Sequence, residues 1–198
     1  MKNYIIIENP ELLEEKLTEK KGVIILLGHF GNWEAMSFLC KIKKWDAVTV
    51  GKTFKPKILA NFYFNLREKS GIKIFLHKNS IIHLYKALKK NKIIALLIDQ
   101  RTRKPGSVKI NFAGEKVYAT AAPAFLYKKL KSPVLFAYSE RTNNHHKITF
   151  YELKLNNNIE ESTQIIQDII KDFIINNPYN YFWLHSKFKS RRRVIENI

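Results

Sequence analysis

Hydrophobic positions along the chain fall into short blocks whose lengths and flanking residues differ in a regular order. Short aliphatic runs predict buried strands at residues 23–28, 46–51, 72–76 and 92–99. Longer segments, several with helix start or stop residues, predict helices at residues 9–22, 32–44, 56–71 and 80–91. Because strands and helices alternate, we expect an α/β fold: a mainly parallel, mixed central sheet with helices on both faces.

The second half of the chain adds a different pattern. The alternating stretch at 108–116 predicts an edge strand, and the runs at 132–141 and 146–155 predict an antiparallel pair. Two more helices are predicted at residues 120–131 and 159–177. Asn9 and Thr120 are placed to cap the helices that follow them. In such sheets, ligands bind at the carboxyl ends of the strands, so candidate site residues are sought there.

The net charge is the strongest global signal in the composition. The 198 residues carry a formal charge of +18, which predicts a negatively charged partner. Nucleic acid, an anionic membrane and an acidic protein all fit, and a compositional excess of lysine is the alternative explanation. Five of the bases lie in “KFKSRRR” at residues 187–193. Hydrophobic residues make up 45% of the chain, so a disordered protein is not expected.

Nothing in the sequence predicts a membrane span or a secreted protein. The aliphatic runs at 23–27 and 93–98 are far shorter than the ~20 residues that a spanning helix needs. The N-terminus lacks the apolar core and cleavage site of a signal peptide. The single cysteine, Cys40, excludes an internal disulfide and a cysteine-based zinc site. We therefore expect an intracellular protein that is soluble or peripheral to a membrane.

The stretch “GHFGNWE” at residues 28–34 is the first candidate for chemistry. His29 follows a predicted strand, and Glu34 lies five positions later, which on a regular helix would separate them by about 140°. The two meet only if Gly28 and Gly31 bend the chain. Glu34 would then orient His29 as a general base, and exposed N–H groups of the helix would hold an oxyanion. The alternative is an ordinary pair of side chains at a helix start.

These residues, with later blocks in the same order, carry a resemblance to a known family. “GVIILLGHFGNWE” resembles the His-x4-Asp/Glu block of the lysophospholipid acyltransferase superfamily, in the form typical of bacterial lipid A late, or secondary, acyltransferases. The resemblance spans about residues 10–192. The further blocks that resemble the family are “LREKSGIKIF” (66–75), “KALKKNKIIALLIDQR” (86–101), residues 108–138 and “NPYNYFWLHSKFKSR” (177–191).

The resemblance implies a fold like that of glycerol-3-phosphate acyltransferase and a specific reaction. A fatty acyl chain would pass from acyl carrier protein to a hydroxyl of a lipid A precursor, with His29 as base, Glu34 as its partner, and Asn32 and Trp33 completing the motif. No cofactor is implied beyond the carrier-protein thioester. The partners would be acyl carrier protein, an anionic lipid acceptor and the cytoplasmic face of the inner membrane, where the enzyme would be peripheral. No nucleic acid is expected.

Further binding residues follow from the same blocks, each with an alternative. Arg67 is expected to bind a phosphate, or else to be a cation that stabilises the helix end. Asp99 and Gln100 end a strand and either position substrate or form a turn. Arg101, with Arg103 and Lys104 on the same loop, would meet lipid phosphates.

Other patterns point away from metal or covalent catalysis, and one suggests a membrane contact. No serine stands in a nucleophile elbow. The remaining histidines lack the spacing of metal ligands, so no metal is expected; they are His77, His83, His145, His146 and His185. Several aromatic residues of the segment 53–65 either face a membrane or pack on the sheet; they are Phe54, Phe62, Tyr63 and Phe64.

We expect one acyltransferase domain over residues 1–198, without the membrane helix that usually precedes the motif in this family. Three alternatives remain open at the level of the sequence. The acceptor is a phospholipid or another glycolipid; the chain is a truncated, inactive relative; or the chain is a basic nucleic-acid-binding domain. The sequence shows no nucleic-acid-binding fingerprint to support the last.

Overall fold

The structure is a computed structural model that describes residues 4–76, 80–102, 105–142 and 144–184. The basic run at 187–193, together with Arg103 and Lys104, lies outside the described residues. The elements in chain order are β1 (Ile5–Ile7), α1 (Pro10–Thr18), β2 (Val23–Leu27), α2 (Ala35–Ile42), β3 (Ala47–Gly51), α3 (Lys57–Lys69), β4 (Ile72–Leu76), α4 (Ser80–Lys89), β5 (Ile93–Leu97), β6 (Ser107–Phe112), β7 (Glu115–Thr120), α5 (Ala122–Leu130), β8 (Val134–Thr142), β9 (His145–Glu152), α6 (Ile159–Asn176) and a 3₁₀ turn at Pro178–Asn180.

Seven strands form one mixed sheet in the order β1-β9-β8-β2-β5-β3-β4. Every neighbouring pair is parallel except β8 and β9, which form the predicted antiparallel pair. The predicted α/β class with a mainly parallel sheet is therefore confirmed. Strand β2 lies in the middle of the sheet between β8 and β5, and all five of its residues are buried. This burial explains its unbroken aliphatic sequence.

Side chains that alternate along β2 show that helices cover both faces of the sheet. Ile24 belongs to a buried cluster with Ile170 of α6. Its neighbour Ile25 belongs to a second cluster with Leu13 of α1 and Leu39 of α2. Because successive side chains of a strand point to opposite faces, the two clusters lie on opposite sides of the sheet. The central strand is thus packed on both of its faces.

Two local predictions need correction. The stretch 108–116 is not one edge strand but part of a separate hairpin, β6 and β7, which turns at Ala113 and Gly114. Asn9 does not cap α1 with its side chain; its amide instead donates to the carbonyl of Phe150 and accepts from that residue's N–H. The reason is tertiary: the same side chain satisfies two backbone groups of β9. Thr120 does accept a hydrogen bond from Ala122 at the start of α5.

No helix among the described residues combines the length and the apolar composition that crossing a bilayer requires. Cys40 is buried in the cluster beneath α2, and burial raises the pKa of its thiol to about 12. The side chain is therefore a neutral part of the core rather than a nucleophile.

Candidate active site

The chain between β2 and α2 makes a tight turn that carries His29. The N–H of Phe30 donates to the carbonyl of Gly28 at 2.8 Å. Gly31 has φ +48°, and a Cβ there would lie 2.7 Å from the carbonyl oxygen of Ser139. A larger residue is therefore excluded by both conformation and space. The predicted bend at the glycines is present, and it brings His29 to the carboxyl edge of the sheet.

His29 is paired with Asp99, which is fully buried. The imidazole Nδ1 lies 2.8 Å and 3.0 Å from the two carboxylate oxygens, and the backbone N–H of His29 donates to Oδ2 at 3.2 Å. The sheet dictates this meeting. Strands β2 and β5 run parallel with Leu27 opposite Leu97, and each polar residue lies two positions beyond that pair.

The pairing assigns the histidine tautomer. A carboxylate only accepts, so Nδ1 carries the proton and Nε2 carries the lone pair of a base. Asp99 therefore fixes the orientation of the His29 ring.

A third residue, Tyr181, also belongs to the group around Asp99. The Tyr181 hydroxyl donates to Asp99 Oδ2 at 3.0 Å, and the Tyr181 side chain is buried. Burial, and then the charge of Asp99, raise the pKa of this phenol, so it stays a neutral donor. The sequence predictions did not include Tyr181. Its only signal was its place in the block 177–191, which resembles the family but does not show where the segment packs.

The segment around Tyr181, which we call the strap (residues 177–183), is hydrogen-bonded to the backbone of the turn that carries His29. The N–H of Gly31 donates to the carbonyl of Asn180 at 2.8 Å, and the N–H of Phe182 donates to the carbonyl of His29 at 2.9 Å. The Asn180 side chain donates in turn to the carbonyl of Ser139. Strand ends and strap together fix the backbone of the turn on both sides.

Glu34 does not contact His29, which corrects the predicted partnership. Its carboxylate accepts a two-pronged pair of hydrogen bonds from Arg67, with Nε at 2.9 Å from Oε2 and Nη2 on Oε1. It also accepts from the Tyr63 hydroxyl at 2.9 Å and from Trp33 Nε1 at 3.2 Å. The physical reason is directional: Glu34 already has helical backbone angles, and its side chain points toward α3 rather than back to the turn.

Arg67 lies in the last turn of α3, as one of its two predictions states, and its guanidinium is in addition paired with a carboxylate. Two of its N–H groups are held by Glu34, and its guanidinium lies 4.6 Å from the centre of the Tyr63 ring. Burial, and then the charge of Glu34, raise the pKa of Tyr63 to about 12. Glu34 thus fixes an arginine at the cavity wall, a task that the His-x4-Glu spacing does not reveal.

Trp33 contacts both His29 and Glu34. Its indole N–H donates to Glu34, while its ring meets the His29 ring edge-on with the centres 4.7 Å apart. Asn32, the other motif residue, is half-buried, and its carbonyl accepts from the N–H of Ala35. The first three N–H groups of α2 all bond to carbonyls of residues 32–34. These three N–H groups are therefore not available to hold an oxyanion.

An open cavity of about 630 Å³ lies against His29. Among the described residues that line it are three cations, Lys52, Arg67 and Arg101, and no acid. Gln100 also lines it, whereas Asp99 lies behind the histidine. The rest of the wall is largely apolar and includes Val50, Phe54, Phe64, Leu84, Leu96 and Ile98. The cavity therefore offers cationic contacts and a hydrocarbon surface within one space.

Fold and site together define an α/β protein with a histidine–carboxylate pair at the carboxyl edge of a mainly parallel sheet. A sequence model of the family described as bacterial lipid A biosynthesis acyltransferase matches residues 1–190. The chain belongs to this family of acyltransferases. A search of curated proteins finds no match to the chain.

Proposed function

We propose that this protein transfers a fatty acyl chain from an acyl carrier protein thioester to a hydroxyl of a lipid A precursor. The observation that carries the proposal is the His29–Asp99 pair at the wall of a cavity lined by both cations and hydrocarbon side chains. Family membership supports acyl transfer in lipid A biosynthesis. The donor, the hydroxyl and the residue roles are the proposed part.

In the proposed mechanism, His29 acts as a general base. Nε2 takes the proton of the acceptor hydroxyl while the hydroxyl oxygen forms a bond to the thioester carbonyl carbon. Asp99 stabilises the imidazolium that results. The tetrahedral intermediate then expels the thiolate. The thiolate takes the proton from Nε2, so histidine returns to its starting form and a free thiol leaves.

The cavity wall matches the chemistry of both substrates. Arg67 and Arg101 are suited to the phosphates of a lipid A precursor or of the carrier's prosthetic arm, because guanidinium groups bind phosphate oxygens in a fork. The apolar residues Leu84 and Leu96 extend the wall into the core and offer a surface for an acyl chain. In this proposal the cations of the wall also stabilise the oxyanion, since the α2 N–H groups are already bonded.

The proposed setting follows from the charge. Acyl carrier protein is acidic, and the inner membrane surface is anionic, so a chain with a net charge of +18 is attracted to both. We propose that the protein acts as a peripheral enzyme at the cytoplasmic face of that membrane.

The test is an acyl-transfer assay with the purified protein, acyl carrier protein thioester and three acceptors in parallel. These are a lipid A precursor, a phospholipid and a glycolipid that lacks the lipid A core, with products measured by mass spectrometry. We expect one added acyl chain on the lipid A precursor alone. Transfer only to the phospholipid or the other glycolipid would replace the proposed acceptor. No transfer to any acceptor would overturn the function.

The Glu34–Arg67 pair gives a separate prediction about binding. In Glu34→Gln the guanidinium loses its charged partner, and Arg67 no longer has a fixed position at the cavity wall. We expect KM for the phosphorylated acceptor to rise roughly tenfold, since a hydrogen bond to a charged group contributes about 1.5–3 kcal/mol. Steady-state kinetics with varied acceptor would measure this change, while kcat falls much less.

Glu68→Gln is the matched control for this prediction. Glu68 is the next residue after Arg67 on the same helix and is exposed, so its loss removes an equal charge without touching the pair. We expect wild-type kinetics from this variant. If Glu34→Gln instead lowers kcat by orders of magnitude with KM unchanged, the assignment of Glu34 to substrate binding is wrong.

A further inference from the structure

Helix α3 presents a row of large apolar side chains to solvent. Ile58 is 85% exposed, Leu59 53%, Phe62 64% and Leu66 52%, and Ala60 is the helix's one buried residue. At 100° per residue these four side chains fall within a stripe about 100° wide. Helices that pack on a core bury such a stripe, whereas α3 turns it outward. We call these four residues and the adjoining Phe54 the α3 surface.

The opposite side of the same helix faces the cavity. Tyr63, Phe64 and Arg67 line the cavity wall, and so does Phe54, which is also 39% exposed to solvent. Tyr63 follows Leu59 by one helical turn and packs against Phe54, so the α3 surface borders this rim of the cavity. The sequence left open whether the aromatic residues of this segment pack inward or face a membrane. The structure divides them: Tyr63 and Phe64 line the cavity, and Phe62 faces solvent.

The charge around the α3 surface indicates what it contacts. No aspartate or glutamate occurs between Asp46 and Glu68. Lys52 and Lys55 precede α3, Lys57 begins it, and all three are exposed. A protein partner with an apolar interface does not require such a one-signed border. An apolar stripe bordered by lysines is the pattern of a helix that lies in the boundary between anionic headgroups and acyl chains.

We propose that the α3 surface docks on an anionic lipid bilayer. Ile58, Phe62 and Leu66 enter the boundary between headgroups and acyl chains, and Lys55 and Lys57 contact the headgroup phosphates. The cavity rim at Phe54 then faces the bilayer, so a lipid acceptor reaches His29 without crossing water. The proposal rests on the proposed function for this last consequence, but its test measures vesicle binding without acyl transfer.

The experiment compares the full chain with two double variants in vesicle co-sedimentation. Ile58→Ser with Phe62→Ser removes apolar contacts from the α3 surface. Ile175→Ser with Tyr179→Ser is the matched control, because both residues are exposed apolar side chains outside α3. The vesicles contain phosphatidylethanolamine with phosphatidylglycerol, or phosphatidylcholine alone. We expect binding to the anionic vesicles, a loss of roughly tenfold or more in the α3 variant, and wild-type binding by the control.

A charge variant distinguishes binding to anionic lipid from nonspecific hydrophobic binding. Lys55→Gln with Lys57→Gln should weaken binding to the anionic vesicles about fivefold per lysine, the equivalent of roughly 1 kcal/mol each, and leave phosphatidylcholine binding unchanged. Thermal unfolding of each variant checks that the fold is kept.

Three results would overturn the proposal. One is equal vesicle binding by the α3 double variant and wild type. Another is a wild-type dimer, seen by light scattering, that the α3 variant dissociates, since a second copy then covers the surface. The third is wild-type binding to anionic and neutral vesicles with the same affinity. If vesicle binding behaves as expected but no acceptor is acylated, the proposed function fails and the docking surface stands.

Discussion

Asp99→Asn is expected to lower kcat for acyl transfer by roughly 10³–10⁴-fold, as loss of the orienting carboxylate does for other histidine bases. Asparagine keeps the size of the side chain but removes the charge that faces His29 Nδ1. Its amide also favours the wrong tautomer, because an N–H group placed against Nδ1 leaves the proton on Nε2. His29→Gln should cost at least as much, because it removes the base itself. Single-turnover acyl transfer measures both variants.

Asp46→Asn is the control for the charge change. Asp46 is exposed and pairs with Lys92 at the surface, away from the cavity wall, so its neutralisation should leave kcat unchanged. Because Asp99 is fully buried, circular dichroism and thermal unfolding must show that the Asp99→Asn variant is folded. A folded Asp99→Asn variant with wild-type kcat would contradict the assignment. So would a loss of kcat that occurs in Glu34→Gln instead.

The second large effect is on stability. Phe30→Ala should lower the free energy of unfolding by about 3–5 kcal/mol, the usual range for emptying a fully buried phenylalanine site. The ring lies among four others that relax little, because they belong to strand β8, helix α6 and the strap; its ring partners are Phe136, Tyr138, Phe173 and Tyr181. Urea unfolding with a common slope measures the change.

Phe38→Ala is the matched comparison for this substitution. Phe38 lies on α2 and is 38% exposed, so its removal leaves a smaller cavity and should cost about 1 kcal/mol or less. Equal losses in the two variants would show that the turn is not anchored through Phe30. Because Phe30 follows His29 directly, the variant should also lose activity at temperatures where it remains folded.

Much of the fold was predictable because local patterns decide it. Glycine or polar residues bound each of the short runs that become β2, β3, β4 and β5. The hairpin of β6 and β7 was missed because its alternation continues through the turn, and only Gly114 signals the reversal. The cap at Asn9 was wrong because a residue far along the chain, Phe150, provides the better partners.

The site was predictable in position but not in pairing. His29 and Asp99 were each placed at the carboxyl end of a strand, and the structure confirms both placements. That β2 and β5 are neighbours follows from the order of strands in the sheet, which no local pattern encodes. The short spacing from His29 to Glu34 therefore suggested a partner, while the actual contact joins His29 to Asp99, 70 residues later. Sequence spacing shows only which residues are close along the chain, so it does not reveal the contact between His29 and Asp99.

The strap has a consequence for the order in which the parts of the site form during folding. Its contacts join Gly31 to Asn180 and Asp99 to Tyr181. The turn that carries His29 is therefore held in place by a segment that the ribosome makes much later. Contacts of such long sequence separation form late in folding, because the loop between them must close first. A growing chain can thus contain His29, Asp99 and the central strands while it still lacks the strap. The proposed acyl transfer therefore requires that residues 177–183 have been made and have packed against the turn that carries His29.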